Sequence, residues 1–439
     1  IVRPRAPRLP HVAAQPPPNL RIPRAPENLR RTLPNNADPR VFSSQATQVS
    51  LSLGGMKQIR LKRSARTPRV VFGHPWVFSG EIETPPRVPA GEAVELLDAR
   101  GHSLGSGIWN PASQIVWRKF SSEKRAWGED FLAEALAKAV AKRAPAPASR
   151  RLVWSEADAL PGLVVDRFED ALVVQTLTAG ADKMLPFIAA WLDENLSPSE
   201  IIFRNDAPSR RFEGLELSVS FHENKPHVPR RFDIEGVRYF LDLAGGQKTG
   251  FYLDQREQHV NAAKFSRGKS VLDACCNQGG FSFQCARAGA AQTLGIDVSA
   301  PAIEVCRRNA AENGFRNCAF ETANLFDWFG ENRERRFDLI VLDPPPFART
   351  KDALAGALRG YKELNLRALK MLNPGGVLAT YSCSQRVGTE KFIDVLSSAA
   401  HDARRRVTLL EITGQPEDHP ALLNFPESRY LKGLILRAD

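Results

Sequence analysis

Lys269-Ser-Val-Leu-Asp-Ala-Cys-Cys-Asn-Gln-Gly-Gly-Phe-Ser-Phe283, followed by Gln292-Thr-Leu-Gly-Ile-Asp-Val-Ser299, reads as strand, glycine turn, helix and strand. The run from Ser270 to Ala274 is short and apolar, as a buried parallel strand requires. Gly279 and Gly280 supply a tight turn, and helical spacing resumes from Phe281 to Ala288. Asp297 ends the second strand about twenty residues past the turn, where a carboxylate reaches the ribose diol of a nucleoside cofactor. The turn lacks the full Gly-x-Gly-x-x-Gly pattern and no phosphate-loop Lys-Ser or Lys-Thr follows. A dinucleotide needs bare backbone N–H groups around a pyrophosphate, whereas S-adenosylmethionine carries no phosphate, so the methyl donor is the expected cofactor. Asp273, Asn277, Gly279, Gly280, Phe281 and Asp297 are its candidate contacts.

At 439 residues and 43% hydrophobic, the chain has enough apolar content for two or three cores, and no run is long enough for a membrane span. Six cysteines, all in the second half, form no C-x-x-C pair and have no histidine at zinc spacing. This implies a reduced, cytoplasmic protein without a metal. The net charge of +11 is local: residues 1–70 hold 14 Lys+Arg against 2 Asp+Glu, and the remainder 46 against 47. Such a basic front suits phosphate contact, and equally a solvated tail.

Residues 1–55, with ten prolines in the first forty, are expected to be disordered, and the functional protein to begin near Met56. Residues 56–125 read as a small β module and 126–230 as an amphipathic helix followed by an α+β (EEHEE-like) module; 231–439 form the catalytic part. The phrase Phe72-Gly-His-Pro-Trp-Val-Phe-Ser-Gly-Glu-Ile82 resembles the PUA domain, an RNA-binding β-barrel found at the front of a bacterial family of ribosomal-RNA methyltransferases. Lys62, Arg63, Arg66 and Arg69 flank it as phosphate candidates, and Trp76 is available to stack on a base or to pack in the core. Gly245-Gly-Gln-Lys-Thr-Gly-Phe-Tyr-Leu-Asp-Gln-Arg256 is similar to the family's lead-in to its catalytic domain. The resemblance implies that Lys248, Thr249, Phe251 and Asp254 lie on the cofactor side.

Beyond Asp297, Asn324 is expected to accept from the adenine amino group, with Asp327 as the alternative. Phe337-Asp-Leu-Ile-Val-Leu-Asp-Pro-Pro-Pro-Phe347 is a strand ending in Asp343 and a proline-stiffened loop. Such a loop can hold an extruded base by its amino edge, with Pro344, Pro345 and Phe347 against it. Gly375-Gly-Val-Leu-Ala-Thr-Tyr-Ser-Cys-Ser384 is a further buried strand ending at Cys383. Cytosine C5 becomes nucleophilic only when a group adds to C6, which a thiolate does. Tyr361 and Lys362 are read either as RNA-facing or as helix surface, and His419 as a base or a turn.

The expected fold is multidomain α/β: a PUA barrel, a small α+β module and a Rossmann-like methyltransferase with a seven-stranded, mostly parallel sheet. The resemblance extends from Met56 to the end and implies 5-methylcytosine formation in large-subunit (23S) ribosomal RNA through Cys383 and Asp343, with a homodimer left open. Two rivals are methylation of an adenine or guanine amine through Asp343-Pro-Pro-Pro-Phe347, and a non-catalytic ribosome-assembly factor.

Overall fold

The computed structural model describes residues 55–64, 68–144, 148–246, 248–347 and 354–439. Nearly all of the extension expected to be disordered, and Arg66, lie outside the described residues. Five short strands form the first sheet: β1 (Gln58–Arg60), β2 (Trp76–Val77), β3 (Ala93–Leu97), β4 (Ser103–Trp109) and β5 (Trp117–Ser121), in the order β1-β3-β4-β5-β2. Ile59, Val77, Val94, Leu96 and Trp117 close its core. The amphipathic helix α1 (Glu129–Ala141) buries Phe131, Leu132, Ala135, Leu136 and Ala139, as its spacing predicts.

The second sheet holds β6 (Arg150–Trp154), β7 (Leu163–Phe168), β8 (Ala171–Thr176), β9 (Glu200–Asn205) and β10 (Ser218–Phe221), in the order β10-β9-β8-β7-β6. Helices α2 (Ala179–Lys183) and α3 (Leu185–Leu196) connect β8 to β9. The sequence pattern does not reveal β10, an exposed edge strand whose first three residues face solvent. Ile108 and Phe120 of the first sheet share a core with α1 and this second sheet, so the two modules are fused through apolar packing.

A hairpin of β11 (Arg230–Ile234) and β12 (Val237–Leu241) turns at Glu235-Gly236, as expected. It leads into the catalytic sheet: β13 (Ser270–Ala274), β14 (Gln292–Asp297), β15 (Cys318–Thr322), β16 (Phe337–Leu342), β17 (Leu372–Ser382), β18 (Val407–Gly414) and β19 (Lys432–Ala438). The order is β15-β14-β13-β16-β17-β19-β18, with β19 alone antiparallel to its neighbours. The sheet is therefore seven-stranded and mostly parallel, as the sequence implies. Helices α4 (Arg256–Ala263), α5 (Gly280–Arg287), α6 (Ala300–Glu312), α7 (Leu325–Glu331), α8 (Leu354–Met371) and α9 (Thr389–Ala403) cover its two faces. Alternation along β13 sends Leu272 and Ala274 to the α7, α8 and α9 side, and Val271 to the α4 and α5 side. Among the described residues no helix is long and apolar enough to cross a membrane.

Candidate active site

Register places the functional strand ends side by side. Ala274 is paired with Ile296 on one side and Leu342 on the other, and Leu342 with Thr380. The next residue of each strand, Cys275, Asp297, Asp343 and Tyr381, therefore forms one row at the carboxyl ends, about 14 Å long at ~4.8 Å per strand. Cys383 follows the end of β17, two residues beyond that row.

The turn between β13 and α5 is built under backbone constraint. Cys275 (φ 68°) and Asn277 (φ 47°) sit in the left-handed region with Gly279 (φ 80°), an arrangement that persists only where surrounding contacts impose it. Asp297 supplies one such contact, its Oδ2 accepting from the Asn277 N–H at 2.9 Å. Gly280 is required for a different reason. A Cβ there would meet Nε2 and Nδ1 of His259 at 2.6 and 2.7 Å. That ring is buried between Phe251 and Phe281, and burial pushes its pKa down to about 3, so it is neutral packing against the turn.

A cleft of about 2190 Å³ opens over this rim. Asn277, Gly280, Phe281, Asp297, Asn324, Lys248, Thr249, Phe251, Asp254, Asp343 and Cys383 all line it, together with Trp76, Phe78 and Arg118 of the first module and Arg204, Asp206, Phe212 and Glu213 of the second. Asp254 receives the Tyr430 hydroxyl on Oδ2 at 2.8 Å and Lys248 Nζ at 3.1 Å. Burial opposes its ionisation, but Lys248, His419, Tyr430 and Arg151 together hold the carboxyl well below the usual range. Its Oδ1 is buried without a hydrogen-bond partner. An orphaned carboxylate oxygen, a glycine in the turn and the Asp297 carboxylate, all lining one cleft, fit a cofactor that carries both an ammonium and a ribose.

At the carboxyl end of β16, burial and then the Asp254 carboxylate push Asp343 up to about 7, against the pull of Lys248 and a hydrogen bond from Gln255. Burial and the Asp343 carboxylate push the Cys383 thiol up to about 11, opposed by Lys248 and Lys432. The Cys383 segment is held firmly. Tyr361, fully buried on α8, bonds Ser384 Oγ and Ser382 Oγ, each at 3.0 Å, and so pins both neighbours of the cysteine.

Two domain families match this chain: a PUA-like domain over residues 59–122 and a methyltransferase domain over residues 265–413. The ribosomal RNA large subunit methyltransferase I of Shewanella denitrificans is 40% identical over 393 residues, covering 86% of this chain and 99% of the relative. That of Shewanella amazonensis is 40% identical over 392 residues with the same coverage. The chain belongs to the ribosomal RNA large subunit methyltransferase I family. A SAM-dependent methyltransferase from Streptococcus mutans shares its fold, with a TM-score of 0.74 at 18% identity over 87% of this chain and all of the other. A second solved methyltransferase, complexed with SAH, gives the same TM-score and identity over 87% of this chain and 99% of its own. S-adenosylmethionine is accordingly the family's methyl donor here.

Several expected contacts take other partners in this family member. Asp273 does not face the cleft: alternation turns it with Val271 toward α5, where Oδ2 accepts from the Ser282 N–H and hydroxyl. Burial pushes it up to about 7. Asn324 lines the cleft, but its Oδ1 caps α7 by accepting from the Phe326 N–H at 2.9 Å. Asp327 is exposed in the first turn of α7 and does not line the cleft. Gly279 does not line the cleft; its positive φ and the Phe283 ring against it make it part of the turn's own packing. Thr249 donates to Asp166 Oδ2 at 2.7 Å.

The RNA-facing candidates are also redistributed. Trp76 donates its indole N–H to Glu156 at 2.6 Å, its ring meets Phe425 at 4.6 Å, and Arg118 lies over it at 5.1 Å. It is half-buried, lines the cleft and joins three modules. Arg69 pairs with Glu427 at 2.7 Å, while Lys62 and Arg63 remain exposed. Pro344 is buried, Pro345 exposed, and Phe347 rests edge-on against Tyr361 at 4.9 Å. Tyr361 is thus neither RNA-facing nor helix surface, whereas Lys362 pairs with Asp402 on the outside of α9. His419 is buried against Asp418 at 2.7 Å and does not line the cleft.

The second module holds the loop that carries Thr249. Arg151 grips Asp166 through two bonds of 2.7 and 2.8 Å, and the same carboxylate takes Thr249. Arg204 donates to the carbonyls of Leu243 and Gly246, each at 2.8 Å. No local motif marks Arg151, Asp166, Arg204 or Tyr430, because their partners arise from distant segments. Lys432 does carry a signal: it is a lysine inside the apolar strand pattern of Tyr430 to Leu436.

Proposed function

We propose that this protein transfers a methyl group from S-adenosylmethionine to C5 of a cytosine in large-subunit ribosomal RNA, in the cytoplasm, through a covalent bond between Cys383 and cytosine C6. The observation that carries the reading is Cys383 and Asp343 opening into one cleft with Asp254, Gly280 and Asp297. The named substrate of the Shewanella relatives supports large-subunit RNA. When bound, the cofactor supplies an electrophilic sulfonium methyl. Asp254, Gly280 and Asp297 are the residues proposed to hold it, and the β13–α5 turn to orient it.

Addition of the Cys383 thiolate to C6 breaks the C5–C6 double bond and moves negative charge toward N3. Asp343, poised near neutrality, donates a proton or hydrogen bond to that edge as the charge develops. C5 is then an enamine carbon and takes the methyl group. A base takes the C5 proton, any proton given to N3 returns to Asp343, and expulsion of Cys383 as thiolate restores the ring. A proline-stiffened loop from Pro344 to Pro346 leaves carbonyl acceptors for the exocyclic amine. Methyl transfer to unmodified large-subunit RNA followed by nucleoside analysis tests this: the product expected is 5-methylcytidine from wild type and none from Cys383→Ala. A labelled purine, or full turnover by the variant, supports amine methylation instead.

A further inference from the structure

Lys432 is 4% exposed, on β19 directly opposite Ser382 of β17. Its Nζ donates to the carbonyls of Ser384 and Tyr430, each at 2.7 Å. Among the described residues no carboxylate pairs with it. A buried ammonium normally has a counter-ion, because desolvation of an isolated charge is costly. The bond to Ser384 ties this lysine to the residue next to Cys383. Burial pushes its pKa down to about 8 and Arg429 also disfavours its charge, which leaves it a cation near neutrality, while the Cys383 thiolate favours it.

We propose that Lys432 is a positioning residue that holds the Cys383 turn and serves as the buried counter-ion of the Cys383 thiolate. The charges facing the thiol agree with this division. Asp343 and Asp254 oppose the thiolate, and Lys248 and Lys432 favour it. Lys248, however, is half exposed and already paired with Asp254 at 3.1 Å, whereas Lys432 is buried and bonds only carbonyls among the described residues. A carbonyl-only strut would need no charge. The counter-ion role therefore separates from the strut role by a neutral donor at the same place.

The proposal rests on Cys383 as nucleophile, but its test does not require turnover. Alkylation of Cys383 by iodoacetamide is followed against pH by peptide mapping in wild type, Lys432→Gln and Lys432→Arg, with S-adenosylmethionine binding as the folding control. Glutamine keeps a donor for the carbonyls and removes the charge. The expected result is a profile displaced upward by about one pH unit in Lys432→Gln, with alkylation near neutrality slower by about tenfold, and restoration in Lys432→Arg. An unchanged profile in folded Lys432→Gln overturns the counter-ion role. Should neither variant fold, the wild-type profile serves: a counter-ion predicts that the rise of alkylation with pH breaks near pH 8, where Lys432 loses its charge, and resumes above it, and an unbroken rise refutes the idea. Turnover by Cys383→Ala reports separately on the nucleophile, so either claim can fall alone.

Discussion

Gly280→Ala tests whether the glycine turn is held at its observed depth by His259. The added methyl would lie closest to Cε1 of the ring and 2.6–2.7 Å from its nitrogens, whereas ordinary carbon contacts begin near 3.4 Å, so ring or turn must move by about 1 Å. The ring has little room, since Phe281 lies 4.5 Å away edge-on and Phe251 5.9 Å away. Overpacking of this kind costs about 1–3 kcal/mol. The free protein relieves the clash by displacing the turn, and binding the cofactor has to restore it. The cost then returns as affinity for S-adenosylmethionine weaker by about 5- to 150-fold, measured by titration calorimetry. Removing the ring should remove the conflict, so His259→Ala combined with Gly280→Ala should bind more tightly than Gly280→Ala alone, with a coupling of about 1 kcal/mol or more. Wild-type affinity in Gly280→Ala, or purely additive losses in the pair, would refute the packing argument.

Three further outcomes follow from the same contacts. Tyr361→Phe removes both bonds to the serines around Cys383, so turnover should fall by about tenfold while cofactor affinity stays unchanged; equal loss in both would mean that the helix, and not the cysteine turn, was disturbed. Arg151→Met leaves the buried Asp166 unpaired and should destabilise by about 3–5 kcal/mol in urea unfolding, with recovery when Asp166→Leu is added. For pH dependence, Asp343 titrating near 7 must be protonated to donate, and Cys383 titrating near 11 must be ionised. Their opposed slopes cancel between those values, so kcat/KM should rise below pH 7 and level off above it; in Asp343→Asn the plateau should vanish and the rate keep rising toward pH 9. The raised Asp343 also favours the folded state when protonated, a contribution present below its unfolded pKa and lost as pH rises to about 7.

The β13–α5–β14 unit, and the ends of β16 and β17, are legible because parallel strands and their turns are encoded locally: apolar run, punctuating residue, helix. Strand register then brings Asp297, Asp343 and the Cys383 segment to one rim without any further information. What is not legible is where a side chain spends its hydrogen bonds. Trp76 and Arg69 look like RNA contacts in isolation, yet their partners Glu156 and Glu427 lie 80 and 358 residues away. Tyr361 looks like helix surface because its partners are serines at the end of another element. Asp273 belongs with the turn in sequence, but the twofold alternation of a strand sends it to the far face.

Incubation with RNA carrying 5-fluorocytidine, in the presence of S-adenosylmethionine, shows whether Cys383 bonds to the base, because fluorine at C5 cannot leave as a proton does and the adduct cannot resolve. The expected result is a denaturation-stable protein–RNA complex whose cross-linked peptide contains Cys383, absent in Cys383→Ala. A complex mapping to another residue, or none formed under conditions where ordinary RNA is methylated, would contradict a thiol mechanism.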